Sequence, residues 1–425
     1  MKDLHLENTN RNRYGEWIVA LAVMFATTSQ IMISAFEMFS PLLSSILGFS
    51  RNIVLFLLLA FQVKHYGIHI KGKHGFFFFI LYSIYILLYI TIFRVYKMED
   101  IVAGPSSVFH FFFRTIQLLV YFLCAESIIR HLNCEKFLFV SFFTAIMPAL
   151  FLIHYVGFET IQYFGSGSND DFSFLTLGYC NSPLLILGVL LFIKTFKRNL
   201  LYGLFAIIVS LAVAFILFAG TERGPIIWCV ANLVICLFLF VKNKIKYIIV
   251  ILIFGLIGYL NIDNIIDSIK GFAPRTAERI ESTVKEGNTN GRFDLDRPES
   301  STYIIAWNQF LASPIYGSYF RLITNHIVFR GHYPHNIFME IMITMGIVGL
   351  IPFLLLLLRA WSVVRKTFKY RIYTEGQIIC LILFLSEFLK LQTSKTVVFN
   401  AAFWTFFYIM CNFDMIVKSR KATIG

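Results

Sequence analysis

The stretch that decides how this chain folds is residues 331–358: GHYPHN at 331–336, then IFMEIMITMGIVGLIPFLLLLL at 337–358. The first six residues are polar or turn-forming and carry His332 and His335. The run that follows is apolar apart from Glu340 and Thr344. At 1.5 Å per residue it is long enough to cross a hydrocarbon core of ~30 Å. So sharp a switch marks a water–lipid boundary and puts His335 and Asn336 on it. The boundary also closes a polar segment, residues 261–336, within an otherwise apolar chain.

Composition agrees. The chain is 58% hydrophobic with 48 Phe, and its mean hydropathy is +0.72, whereas soluble domains stay near half apolar. Twelve apolar runs of roughly membrane-crossing length follow one another: Trp17–Ala35, Leu42–Val63, Phe76–Phe93, Val108–Ile129, Phe137–Gly157, Phe174–Ile193, Leu201–Ala219, Pro225–Val241, Ile245–Leu260, Ile337–Leu358, Gly376–Leu391 and Thr396–Phe413. Arg51 and Asn52 interrupt the second. Lipid offers no hydrogen bonds to a bare backbone, so the spans must be helices. The expected fold is an all-α polytopic membrane protein, 1–425 as a single membrane domain. Its one elaborated loop, residues 261–336, joins the ninth and tenth spans.

The net charge of +13 does not indicate nucleic-acid binding, because the basic residues alternate with topology. With the N-terminus inside, every inner segment is basic: Arg11 and Arg13, Lys71 and Lys73, Lys136, Lys197 and Arg198, Lys242 and Lys244, Arg365 and Lys366, Arg420 and Lys421. The outer loop before Phe174 has Glu159, Asp170 and Asp171 and no Lys or Arg. This positive-inside pattern predicts both termini in the cytoplasm and the long loop outside. Residues 1–16 are mostly polar and no cleavage site follows the first span, so that span is expected to remain as an anchor. The cysteines lie mostly within spans and form no metal-type CxxC pattern. Core packing is their expected role.

Within the long loop, Ile262, Ile265, Ile266, Ile269 and Phe272 recur at helical spacing, as do Tyr303, Ile304, Trp307, Phe310 and Leu311. Two amphipathic helices lying on the outer leaflet would fit. Ser313-Pro314-Ile315-Tyr316-Gly317 reads as the turn that ends the second.

Several residues invite chemistry. Arg223 lies in Ala219-Gly220-Thr221-Glu222-Arg223-Gly224-Pro225, a short outer turn. It either snorkels at the interface or forks onto a phosphate. Asn336 either simply caps a helix or stands beside His335 in a site. His335, whose ordinary pKa of ~6.5 suits proton removal near neutral pH, is then a general base. His332 is a second, weaker candidate. Glu340, one turn into the span, could hold Asn336 or orient His335. His110 and Arg114 share a face of the fourth span and read equally as a site or as a structural ion pair with Glu126. Arg292, Arg297 and Arg321 stand among carboxylates in the loop. No P-loop, dinucleotide fingerprint or metal-ligand motif is present, so no cofactor or metal is expected.

Taken in order, these motifs resemble a family. The pieces are Thr221-Glu222-Arg223-Gly224, Trp307, Pro314-Ile315-Tyr316-Gly317, His335-Asn336 and Gly346-Ile347-Val348-Gly349-Leu350, with Gly178-Tyr179-Cys180-Asn181-Ser182-Pro183 a looser match. Together, over roughly residues 178–358, they resemble the bacterial O-antigen polymerase and O-antigen ligase superfamily. One departure stands out: where the family has an arginine about a turn before the loop tryptophan, this chain has Tyr303, with Arg292 and Arg297 nearby.

The resemblance implies a GT-C-type, metal-independent glycosyltransferase of the bacterial inner membrane. Its donor would be a glycan on undecaprenyl diphosphate. Its acceptor would be a second lipid-linked glycan for a polymerase, or lipid A core sugars for a ligase. A chain-length regulator is a candidate partner, and no nucleic acid is implied. His335 would be the catalytic base. Arg223 would bind the diphosphate, with Arg292, Arg297, Arg321, Asn336, His332 and Arg114 as further substrate-binding candidates. A lipid-linked oligosaccharide flippase is a distant alternative, disfavoured by the long loop and by the lack of two similar halves.

Overall fold

The computed structural model describes residues 13–28, 31–32, 40–70, 72–92, 108–156, 174–196, 199–219, 223–240, 260–271, 302–318, 334–369, 374–393 and 400–414, with the short pieces 249, 274, 277–278, 281–282 and 397. Every regular element among them is helical. In chain order they are α1 (Arg13–Thr27), α2 (Pro41–Tyr66), α3 (Phe76–Ile92), α4 (Val108–Leu123), α5 (Ala125–His131), α6 (Cys134–Ser141), a π-turn (Phe142–Ile146), α7 (Met147–Val156), α8 (Phe174–Thr195), α9 (Leu200–Ala219), α10 (Arg223–Phe240), α11 (Ile262–Lys270), α12 (Thr302–Ala312), α13 (Ile337–Lys369), α14 (Glu375–Lys390) and α15 (Ala401–Cys411).

Among the described residues, five helices are long and apolar enough to cross a membrane: Ser45–Tyr66, Cys134–His154, Leu177–Thr195, Leu200–Leu217 and Ile337–Lys366. The pair Phe112–Leu123 and Ala125–His131, bent by 54°, counts as a sixth if it is one span. Phe76–Leu88, Gly224–Cys236 and Ala401–Cys411 are apolar but shorter. The chain is therefore a membrane-embedded helical protein. The ninth predicted span, Ile245–Leu260, lies almost wholly outside the described residues. The second runs as one helix straight through Arg51 and Asn52. The fifth holds a π-turn in which Met147 N–H reaches back to Phe142 O. Pro148, which has no N–H to give the ladder, follows directly.

The chain divides into two compact units. The first comprises residues 1–58, 128–287 and 373–386. Its helices are tied by polar contacts at their ends and small residues along their lengths. Lys136 and Glu16 form an ion pair joining α6 to α1, while Trp17 packs edge-on against Phe139 at 5.7 Å. Glu375, at the start of α14, accepts from Cys134 N–H at 3.1 Å and Lys194 Nζ at 3.0 Å. Asn232 of α10 donates to Ser386 Oγ at 2.6 Å and Ile382 O at 3.1 Å on α14. Gly188 lets α8 and α9 close up, since a β-carbon there would sit 2.5 Å from Ser210 Oγ. On α11, Ile266 and Ile269 bury against Ala277 and Ile262. The helix expected there is present.

The second unit comprises residues 59–127, 288–372 and 387–425. Its core is aromatic: Phe78, Phe79, Phe122, Phe353, Phe403, Trp404, Phe407 and Tyr408 meet at ring distances of 4.7 to 6.4 Å. These bring α3, α4, α13 and α15 together. Asn412 donates to His74 O at 2.6 Å, clamping the turn before α3 to the end of α15. Burial and nearby Arg359 hold the His74 imidazole below its usual pKa.

Helix α13 is not continuous. At Gly346 the backbone turns to φ 60°, ψ −153°, and the helix breaks. The turn after α12 fills the break. Ile347 N–H donates to Pro314 O at 2.9 Å and Val348 N–H to Ile315 O at 3.2 Å. In return, Ser318 donates to Ile343 O from its N–H at 2.6 Å and its hydroxyl at 2.8 Å. Both glycines at this junction are obligatory. A β-carbon on Gly317 (φ 73°) would lie 2.4 Å from Thr344 C, and one on Gly346 would lie 2.4 Å from Ile315 O. Helix α12 then packs Ala306 and Phe310 against Ile343, with Met339 and Met342 alongside. Of the predicted apolar face, Phe310 turns to α13 while Trp307 and Leu311 are 45% and 55% exposed, and the small residue Ala306 shares the close contact with Ile343.

Gly346→Val is expected to cost roughly 2–4 kcal/mol, from a strained φ and backbone overlap. Thermal unfolding in detergent should show a clear fall in Tm. Gly48→Ala is the control, because a β-carbon there meets nothing within 4 Å. Equal stability of the two variants would contradict the junction.

Candidate functional site

The site is built on the N-terminal end of α13, in the second unit. Asn336 precedes the helix and caps it. Its Oδ1 accepts from Phe338 N–H at 3.0 Å and Met339 N–H at 3.2 Å, satisfying two of the amides that an α-helix leaves open at its start. Its Nδ2 donates to Gln392 Oε1 at 3.4 Å, and Gln392 Nε2 is held by Phe388 O at 3.2 Å. Both polar ends of Asn336 are thus engaged within the protein. Its geometry is that of a group that fixes its neighbour.

That neighbour is His335. It is the one non-glycine residue with positive φ among the described residues, at 53°. The left-handed region costs a side-chain-bearing residue about 1–2 kcal/mol. The imidazole is half-buried with its Nδ1 inside. The preceding residue, Pro334, is buried. A fixed residue on either side holds the imidazole at the mouth of an apolar helix.

Glu340 is buried at 1% exposure. Its two carboxylate oxygens both accept from Val397 N–H at 3.2 Å, and Tyr82 OH donates to it at 3.5 Å. Trp404 Nε1 donates to Val397 O at 3.0 Å. The carboxylate therefore pins the connection between α14 and α15 against α13. Hydrogen bonds to a charged group contribute about 1.5–3 kcal/mol, well matched to a carboxylate that must be desolvated.

A second polar cluster lies at the end of α14. Glu387 and Lys390, both under 10% exposed, form an ion pair, and Asn400 Nδ2 donates to Glu387 Oε2 at 3.1 Å. Asn400 also caps α15 through Phe403 N–H at 2.9 Å. These residues had a signal in the sequence: two opposite charges three apart inside an otherwise apolar span, where ionisable groups are costly and paired. Tyr82, Gln392 and Asn400 carried no such signal.

The other predicted residues are more dispersed. Arg114, on α4, is half-buried and donates from Nη1 to Gln117 Oε1 at 3.4 Å. Tyr303 is half-buried on α12. His332, Arg292, Arg297 and Arg321 lie outside the described residues, as do the side chains of Arg223 and His110. The backbone of Arg223 is the first residue of α10. Its surroundings in the first unit join two motifs read separately in the sequence. Gly178 of α8 faces Pro225, where a β-carbon would sit 2.6 Å from the proline ring. Pro225 lies in the first turn of α10, where its missing N–H costs nothing. One turn from Gly178, the fully buried Asn181 donates to Leu177 O at 2.9 Å. Pro183 cannot bond Tyr179 O, and Ser182 Oγ takes that carbonyl at 3.2 Å.

Among the described residues no three His, Cys, Asp or Glu side chains gather as a metal-ligand set. The cysteines are buried and free. Comparison with protein-family models and with curated protein sequences finds no match.

Lys390→Met leaves Glu387 buried without its cation and is expected to cost roughly 3–5 kcal/mol. Adding Glu387→Gln removes the stranded charge and keeps an acceptor for Asn400, so the double variant should regain most of the loss. Unfolding midpoints of the two variants in one detergent decide this. A double variant no better than the single would mean that the pair is not coupled.

Proposed function

We propose that this chain is a polytopic glycosyltransferase of the GT-C type, with about twelve spans, in the bacterial inner membrane. It polymerises O-antigen repeat units at the periplasmic face from glycans carried on undecaprenyl diphosphate. The observation that carries this reading is His335. It is a histidine in a left-handed conformation, at the capped start of an apolar helix, bracketed by buried Pro334 and hydrogen-bonded Asn336. Such a histidine suits proton removal from a substrate held at the membrane surface. The ordered resemblance of its motifs to the O-antigen polymerase and ligase superfamily supplies the substrate class.

The reaction is one inverting displacement. An acceptor hydroxyl oxygen attacks the anomeric carbon from the face opposite the diphosphate. The bond between that carbon and the diphosphate oxygen breaks, and the electron pair leaves with the diphosphate. The hydroxyl proton passes to the His335 imidazole. Arg223 binds the diphosphate and stabilises the charge that grows on it. Arg292, Arg297 and Arg321 assist, Arg292 or Arg297 replacing the family arginine at Tyr303, while Arg114 and His332 are further contacts. Asn336 acts by positioning His335. The diphosphate is already an activated leaving group, so no step calls for a metal or a nucleotide.

His335→Asn is the sharpest test, since asparagine accepts a left-handed backbone well and the fold should survive. We expect polymer synthesis to fall at least ~100-fold, the usual contribution of a general base, with membrane abundance and Tm unchanged. Arg223→Ala should do the same. Full activity in either variant would remove its assigned role. Deleting and restoring the gene, read on a lipopolysaccharide gel, separates the acceptors. Loss of the ladder with single-repeat core retained indicates a polymerase. A bare core with chains accumulating on undecaprenyl diphosphate indicates the ligase alternative.

A further inference from the structure

Helix α12 and its turn fall in what reads, by sequence, as the water-facing loop, with α12 lying on the leaflet. We propose instead that residues 302–318 form a re-entrant element. It dips into the hydrocarbon alongside α13 and presents Trp307, Leu311 and Ile315 to lipid acyl chains. This inference is independent of any role for His335.

Depth carries the argument. The turn is fixed at the Gly346 break by four hydrogen bonds to α13, from Ile347, Val348 and Ser318. Position along α13 therefore gives position in the bilayer. The polar end of α13 is marked by Arg359, which pairs with Asp414 at 3.7 Å and donates to Cys411 O at 3.0 Å. Counting back from Leu358 to Gly346 at 1.5 Å per residue gives ~18 Å. In a core of ~30 Å the turn then lies roughly 12 Å below the opposite boundary. Placing the turn at the water surface would instead draw Arg359 roughly 10 Å into the hydrocarbon.

The backbone of the turn is equipped for that depth. Pro314 has no N–H. Ser313 N–H bonds Phe310 O at 3.0 Å, Gly317 N–H bonds Ser313 O at 3.0 Å, and Ser313 Oγ bonds Gly317 O at 2.7 Å. The carbonyls of Pro314 and Ile315 are taken by α13. Irregular backbone survives in a membrane only when its polar groups are satisfied by protein in this way.

The outward surface matches an acyl-chain partner. Ala306 and Phe310 face α13, while Trp307, Leu311 and Ile315 are exposed, 45% to 56%. Ile347, Ile351 and Leu355 of α13 are exposed as well, so exposed apolar side chains lie on both partners of the junction. Trp307 stands about two turns before Ile315 along the chain, which places it nearer the interface that tryptophan favours.

The test places a nitroxide label at Leu311→Cys or Ile315→Cys in the full chain, in phosphatidylethanolamine–phosphatidylglycerol vesicles. The unsubstituted chain, whose own cysteines are all buried, serves as the blank. Both positions are surface sites, and an unchanged Tm confirms that each labelled protein is folded. Collision with oxygen should exceed collision with a water-soluble nickel chelate several-fold at 315, and a label at Trp307→Cys should be shallower. Preferred contact with nickel at 315 would overturn the proposal and return the segment to water. Protection from both reagents would overturn it too, in favour of a protein cover such as a second copy of the chain.

Discussion

The exchange of backbone hydrogen bonds between the 313–318 turn and the broken middle of α13 is the constraint from which the second unit takes its form. A helix that breaks inside an apolar run exposes amides and carbonyls that lipid cannot satisfy. Here the loss is made good by residues some thirty positions earlier in the chain, at Pro314, Ile315 and Ser318. The loop segment and the span therefore form one folded object. Neither glycine at the junction can carry a β-carbon without overlapping backbone, so the two elements approach to a distance that fixes their register. The N-terminal half of α13 takes its direction from this junction, and with it the placement of Asn336 and His335.

Charge handling inside the apolar helices follows one rule in both units. In the first, Glu375 gathers a backbone amide and Lys194. In the second, Glu340 gathers a backbone amide and a tyrosine, and Glu387 gathers Lys390 and Asn400. Each carboxylate has its partners from elements distant in sequence or from the next turn, so each acts as a crosslink as well as a satisfied charge. Stranding one of them is costly because the desolvation has already taken place. Around Glu340 the consequence is geometric. Val397 and Trp404 are fixed to α13, and Gln392, at the end of the neighbouring helix, is the group that meets Asn336.

Much of this was legible in the sequence, because the period and length of apolar runs are coarse signals that survive tertiary detail. The helix at Ile262–Lys270, the turn after Ala312, the cap at Asn336 and the membrane-length helices all fall where periodicity puts them. What escaped depends on three-dimensional partners. The 337–358 run reads as one uninterrupted helix, since Gly346 resembles any tolerated helical glycine until the turn that fills the break is known. The contact of Ala306 with α13 escaped because hydrophobicity alone ranks Trp307 above Ala306, whereas close packing prefers the smaller residue. Glu387 and Lys390 were visible as charges, but their pairing with Asn400 is a tertiary fact. Arg223, His332, Arg292, Arg297 and Arg321 belong to the sequence reading alone, because their side chains lie outside the described residues.

The conformation of His335 bears on how its side chain should be read. A residue at positive φ immediately before a helix cap is best suited, on backbone grounds, by glycine or asparagine. The cap itself is supplied by Asn336, and packing at the start of the helix by Pro334 and Ile337, both buried. The backbone at this position bears the cost of a β-carbon in the left-handed region. Strained backbone held in place by well-bonded neighbours is the arrangement found where a side chain is kept for its chemistry. His335, the described non-glycine residue with positive φ, is also the histidine proposed as the base.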